Sequence, residues 1–214
     1  MSYKGIFFDL DGTLVDTLED LAGAMNFGLE QLGQPGHSVD ECRRMIGNGV
    51  TKFAERALAS DKQDLHAELL GIMRKRYSQK CTDKSSVYGG LLEVVNKLKT
   101  AGARLAVVTN KNAEEAKVVT EHYFGVGTFE VITGVEGDKW IKPDPAGTYE
   151  IISRMGLEKE ECMLVGDSDV DIKTALNAGI KPVGVTWGFR SREQLLEVGA
   201  ETIIDTPGEI LELI

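Results

Sequence analysis

No apolar run in the sequence approaches the roughly 20 residues that a helix needs to span a bilayer, so an integral helical membrane protein is excluded. Cysteine is scarce as well. The 3 cysteines, Cys42, Cys81 and Cys162, are odd in number, far apart and without CxxC spacing, which excludes a disulfide framework and a zinc site and leaves three reduced thiols. His37, His66 and His122 share no spacing that suits a metal and read as surface or helix-face residues. Positive charge is in deficit. Twenty-four Lys and Arg against 34 Asp and Glu give a net charge of -10, which repels phosphate backbones and disfavours nucleic acid or an anionic membrane as partner. An anionic ligand would need positive charge held locally. Met1 to Leu10 has neither the apolar core nor the cleavage site of a signal peptide, and a cytoplasmic location is expected.

What the sequence does contain is a regular alternation. Short apolar, β-rich runs recur at Gly5 to Phe8, Arg104 to Val108, Cys162 to Val165, Pro182 to Val185 and Thr202 to Ile204. Helical patterns lie between them. Leu91, Val95 and Leu98 form one stripe closed by Gly102, and Val170, Ala175, Leu176 and Ala178 form another closed by Gly179, both with the glycine that ends helices. Strands continuous in hydrophobicity and alternating with helices predict an α/β domain whose parallel sheet is covered on both faces. The stretch 16–84 breaks the rhythm. It has no convincing strand, and Leu18, Leu21, Met25, Leu29 and Leu32 share a helix face behind a Thr17/Asp20 capping box. Further helices are predicted near 39–46, 51–58 and 64–77, with a Gly47-Asn48-Gly49 turn. An inserted all-α unit over 16–84, flanked by a core of 1–15 and 85–214, accounts for the pattern.

Polar residues follow three of the apolar runs. Asp9 and Asp11 follow the first, Thr109 and Asn110 the second, and Asp167 follows Met163-Leu164-Val165-Gly166. In an open parallel sheet ligands bind beyond the carboxyl ends of the strands, so these residues are predicted to converge, with Lys142 from the Ile141-Lys142-Pro143 loop. Two carboxylates one residue apart allow one to attack an electrophile while the other handles protons, and a cation lets both remain ionised. Metal-assisted phosphoryl transfer is the chemistry this set suits.

Asp9-Leu10-Asp11-Gly12-Thr13, Thr109-Asn110, Lys142-Pro143 and Gly166-Asp167-Ser168-Asp169-Val170-Asp171, in this order, resemble the haloacid dehalogenase superfamily, and within it the phosphoglycolate-phosphatase-like phosphatases. The resemblance covers nearly the whole chain. It implies a Rossmann-like core with a helical cap and a phosphomonoesterase acting on a small phosphorylated metabolite through an aspartyl phosphate. Asp9 would be the nucleophile and Asp11 the acid and base. Thr109 and Lys142 would complete the catalytic set. Mg2+ would be held by Asp9, the Asp11 carbonyl and Asp167. Phosphate would be bound by the Asp9-Leu10-Asp11 segment, Thr109, Asn110 and Lys142, with Asp171 and Ser168 in support. In the cap, Arg44, Gly47 and Asn48 would meet the substrate.

Several alternatives share the scaffold: a sugar-phosphate phosphatase, a β-phosphoglucomutase-like enzyme or a pyrophosphatase. The dehalogenase reading is weakened by Asp11, since carbon-halogen cleavage needs no second carboxylate, and the mutase reading by Leu21, where those relatives carry a cap histidine. A protein that keeps the fold and has lost catalysis would lack a motif residue. None is missing here. Asp169 is open between a functional role and a helix cap.

Overall fold

The computed structural model describes residues 3–137 and 139–214; Met1 and Ser2, at the start of the predicted core, lie outside them. The chain divides into two compact units, Met1–Val15 with Val87–Ile214, and Asp16–Ser86. No helix among the described residues is long and apolar enough to cross a membrane.

In chain order the strands are β1 (Gly5–Phe8), β2 (Val15–Asp16), β3 (Ser86–Val87), β4 (Arg104–Asn112), β5 (Val131–Val135), β6 (Cys162–Gly166), β7 (Lys181–Val185) and β8 (Ile203–Ile204). The first unit is built on a six-stranded sheet in the order β5-β4-β1-β6-β7-β8, parallel throughout. β2 and β3 form a separate two-stranded ribbon where the chain leaves and rejoins the core. Its helices are α5 (Leu91–Thr100), α6 (Ala113–Phe124), α7 (Ala146–Met155), α8 (Asp169–Ala178) and α9 (Arg192–Glu197), numbered after the four of the other unit. Continuous apolar strands follow from burial on both faces. Ile6, Phe7 and Phe8 are all fully buried, and Phe7 joins Ala106, Leu164, Ile151, Met155 and Ala175 in one core cluster.

Register decides what the sheet presents. Phe8 pairs with Val107 on one side and Val165 on the other, which brings Asp9, Val108 and Gly166 to the same level at the carboxyl edge. β1 is also where the strand order reverses direction, the point at which α/β sheets bind ligands. Two points in this unit depart from the sequence pattern. β5 was not visible as an apolar run, because it is a five-residue edge strand interrupted by Gly134. Leu176 does not belong to the buried stripe of α8, since it is 50% exposed.

The second unit contains α1 (Leu18–Gln31), α2 (Val39–Met45), α3 (Gly49–Ala57) and α4 (His66–Lys80), with a 3-10 turn at Ser60–Leu65. The spacing of Leu18, Leu21, Met25 and Leu29 buries one face of α1. At Gly28 a Cβ would lie 2.7 Å from Leu69 Cδ1, so glycine permits α1 and α4 to approach closely. The predicted capping box at the start of α1 does not form. Thr17 makes no side-chain cap, and Asp20 instead accepts from Lys84 N at 3.0 Å, Ser85 N at 2.8 Å and Ser85 Oγ at 2.6 Å. A buried carboxylate gains more from three donors on a distant loop than from one helix terminus.

Candidate active site

The turn after β1 sets the first pair of acids. Leu14 N and Val15 N both donate to Leu10 O at 3.0 Å, folding residues 9–15 back over the strand end. Gly12 sits at φ +88, and a Cβ there would lie 2.6 Å from Asp167 Oδ2, so only glycine allows this turn to close onto the end of β6. Thr13 Oγ1 donates to Asp167 Oδ1 at 3.1 Å.

Lys142 is the hub of the site. Its ammonium donates to Asp9 Oδ1 at 2.7 Å, Asp171 Oδ1 at 2.5 Å and Val108 O at 3.0 Å. All three of its donors are thereby engaged. Asn110 fixes the backbone beside it, accepting from Lys142 N at 2.7 Å and donating to Lys142 O at 3.2 Å. The Lys142-Pro143 peptide bond is cis. Asp171 serves two partners. Its second oxygen accepts from Ser168 N at 3.0 Å and Ser168 Oγ at 2.6 Å, while Ser168 Oγ accepts from Asp171 N. Ser168, not Asp169, is therefore the cap of α8, and Asp169 pairs with exposed Lys173 at 2.9 Å.

One carboxylate oxygen from each of Asp9, Asp167 and Asp171 lies within 4.8 Å of the others. Burial, followed by the charge of Asp171, raises Asp9 to about 7 despite the opposing pull of Lys142. Burial and the charges of Asp171 and Asp9 raise Asp167 to about 8. Burial alone would depress Lys142, but Asp171 and Asp9 outweigh it and hold the ammonium charged. Two buried acids this reluctant to ionise are a donor set for a hard divalent cation, which would relieve their repulsion. Asp9 and Asp171 share the Lys142 ammonium, whereas Asp167 accepts only from the neutral donors Thr13 Oγ1 and Phe189 N.

The structure thus brings Asp9, Asp11, Thr109, Asn110, Lys142, Asp167, Ser168 and Asp171 to one sheet edge, with Leu10 fully buried in the turn between the first two acids. Thr109 and Asn110 do not cap the next helix. Asn112 does, accepting from Glu114 N at 3.0 Å. The cap-unit residues find partners in their own unit: Arg44 Nε donates to Asp40 O at 3.3 Å, and Asn48 Oδ1 accepts from Arg56 at 2.6 Å. Gly47 lies in the turn between α2 and α3, with φ +124.

Two features escape a reading of the sequence. Lys111, buried near the end of β4, donates to Asp11 Oδ1 at 2.7 Å and Oδ2 at 3.0 Å. Its signal was its place after Thr109-Asn110, within the strand and not beyond it. The second is the loop after β7. Phe189 N donates to Asp167 Oδ2 at 2.7 Å and Trp187 Nε1 to Thr13 O at 3.0 Å, while a Cβ on Gly188 would fall 2.2 Å from Asp167 Cβ. No motif marks that loop.

The sequence profile of haloacid dehalogenase-like hydrolases matches residues 6–185. The phosphoglycolate phosphatase of Caulobacter vibrioides is 34% identical over 203 residues, covering 93% of this chain and 85% of that protein. That of Colwellia psychrerythraea is 34% identical over 213 residues, covering 96% and 94%. In three dimensions a predicted phosphoglycolate phosphatase from Haemophilus somnus 129PT superposes with a TM-score of 0.89 at 30% identity, covering 99% of this chain and 98% of that one. On sequence and fold together, the chain belongs to the haloacid dehalogenase-like hydrolases.

Proposed function

We propose that this protein is a phosphomonoesterase that hydrolyses a short acidic phosphate ester, phosphoglycolate or a close analogue, through a phosphorylated Asp9. The observation that carries the reading is the Asp9 carboxylate, buried at a strand end beside Asp167 and 2.7 Å from the Lys142 ammonium. Mg2+ is the cation we assign; the Asp9 and Asp167 carboxylates and the Asp11 carbonyl would hold it, and it would neutralise the acids and polarise the phosphoryl group.

The residues of the chain divide the chemistry. An Asp9 carboxylate oxygen attacks phosphorus as the ester P–O bond breaks, and the electron pair leaves on the alcohol oxygen. Asp11 gives that oxygen a proton. The same carboxylate then removes a proton from water as the water oxygen attacks phosphorus, releasing inorganic phosphate and restoring Asp9. Lys142 holds the Asp9 carboxylate in line and offsets charge on the transferring group. Thr109, whose oxygen already accepts from Lys111 N at 3.2 Å, turns its O–H toward a phosphoryl oxygen, beside the Asn110 N–H. Ser168 and Asp171 hold Lys142 in place.

Substrate choice is assigned in part to the unit Asp16–Ser86, through Arg44, Gly47 and Asn48. The excess of acidic residues argues against nucleic acid as substrate. The buried free cysteines suit a reducing cytoplasm. The test is hydrolysis of an aryl phosphate and of phosphoglycolate, with Mg2+ and with EDTA. Asp9→Asn is expected to lower kcat at least about 10³-fold. A variant that retains activity within about tenfold of wild type removes Asp9 from its role.

A further inference from the structure

Among the described residues, Lys111 and Lys142 are the only buried lysines or arginines. Both stand at the same sheet edge, yet they face different acids. Lys142 is bound to Asp9 and Asp171, on the side where the phosphoryl group is transferred. Lys111, its side chain 3% exposed, is bound to Asp11, whose task concerns the leaving oxygen. Lysine is almost never buried so completely unless an anion requires it. The molecule as a whole is strongly acidic, so the two cations are local exceptions to its field.

We propose that Lys111 is a specificity-determining residue that binds a second anion on the leaving group, so that the enzyme selects short phosphate esters with a carboxylate close to the ester oxygen. This rests on the phosphatase reading above and deepens it. Distance supports the assignment. Asp11 must come within one hydrogen bond of the leaving oxygen, and Lys111 lies one further hydrogen bond from Asp11, so the ammonium is within roughly 6 Å of that oxygen. A carboxylate attached through one carbon to the ester oxygen falls inside this radius, whereas a charge at the far end of a sugar does not. The order of residues along β4 matches: Thr109 and Asn110 are placed for the phosphoryl group, and Lys111 follows them on the leaving-group side. A register irregularity between Val108 and Asn112 interrupts the ladder here, and such irregularities re-aim side chains beside functional sites.

The competing account is that Lys111 only orients Asp11. The two accounts separate when the leaving group changes and the protein does not. Phosphoglycolate and ethyl phosphate share a two-carbon leaving group and differ by the carboxylate, so both need Asp11 equally. The experiment measures kcat/KM of the wild type and of Lys111→Met for each ester. Wild type is expected to favour phosphoglycolate by about 10²-fold, the size of one desolvated charge contact, and Lys111→Met to turn over the two esters at similar rates. If Lys111→Met keeps the preference while both esters slow together, Lys111 is an orienting group and the inference is overturned. Wild type that hydrolyses both esters equally also overturns it and leaves the phosphatase reading intact, whereas wild type that hydrolyses neither ester nor an aryl phosphate removes both. Should Lys111→Met fail to fold, Lys111→Gln carries the same comparison. Inhibition of the wild type by glycolate but not by ethanol is then the expected second result, and equal inhibition the contrary one.

Discussion

Lys142 answers for two acids at once, and its removal tests how the site is held together. Asp171 is completely buried, so Lys142→Met leaves a carboxylate without its cation in a dry environment. Loss of one partner of a buried pair costs about 3–5 kcal/mol, and denaturant unfolding of the metal-free protein is expected to show a loss of that order. An unchanged midpoint would mean that Ser168 alone satisfies Asp171. The raised values of Asp9, about 7, and Asp167, about 8, carry a sign. The folded state holds these protons more tightly than the unfolded chain, so their contribution to stability is complete below the ordinary carboxylate value and is lost as pH rises through 7 to 8. Without divalent ions, the melting temperature should therefore fall between about pH 5 and pH 8 more steeply in wild type than in Asp167→Asn. Cation affinity should rise across the same window, since binding displaces the protons. Parallel pH profiles for the two proteins would contradict the assignment of these groups.

At the scale of elements, the strand ends do most of the positioning, and what could be read in the sequence follows from that. β1 and β6 were legible because both faces of a central parallel strand are buried, so the apolar run is unbroken and the first acid after it marks the sheet edge. Asp9 and Asp167 stood out for this reason. Lys111 did not, because a lysine beyond a strand normally reaches solvent, and only the continuation of β4 to Asn112 turns it inward. The role of Asp20 is hidden for a different reason. Its partners lie 64 and 65 residues further on, and local spacing carries no trace of them. That contact makes a prediction of its own. Asp20→Ala should cost about 1–3 kcal/mol by orphaning the Lys84 and Ser85 amides, and these two amides should exchange hydrogen faster. Unaltered protection at both would show that the carboxylate does not hold this loop.

For the molecule as a whole, charge and chemistry pull in opposite directions. A chain of net charge -10 repels anions at long range, yet its sheet edge concentrates two buried ammonium groups among four carboxylates. In the proposed reading a divalent cation would complete that balance, and an arriving anion would be held by local contacts and not by the overall field. In that same reading the sheet edge carries the chemistry of the transferred group, and Lys111 carries selection of the leaving group. Everything depends on Asp9 forming a bond to phosphorus. Acid quenching of a single turnover with phosphoglycolate, followed by peptide mass mapping, tests this most directly. The account predicts a base-labile phosphoryl group on the peptide carrying Asp9, absent from Asp9→Asn. Turnover with no phosphorylated peptide at any time in the quench series, or with the label on another residue, would contradict it.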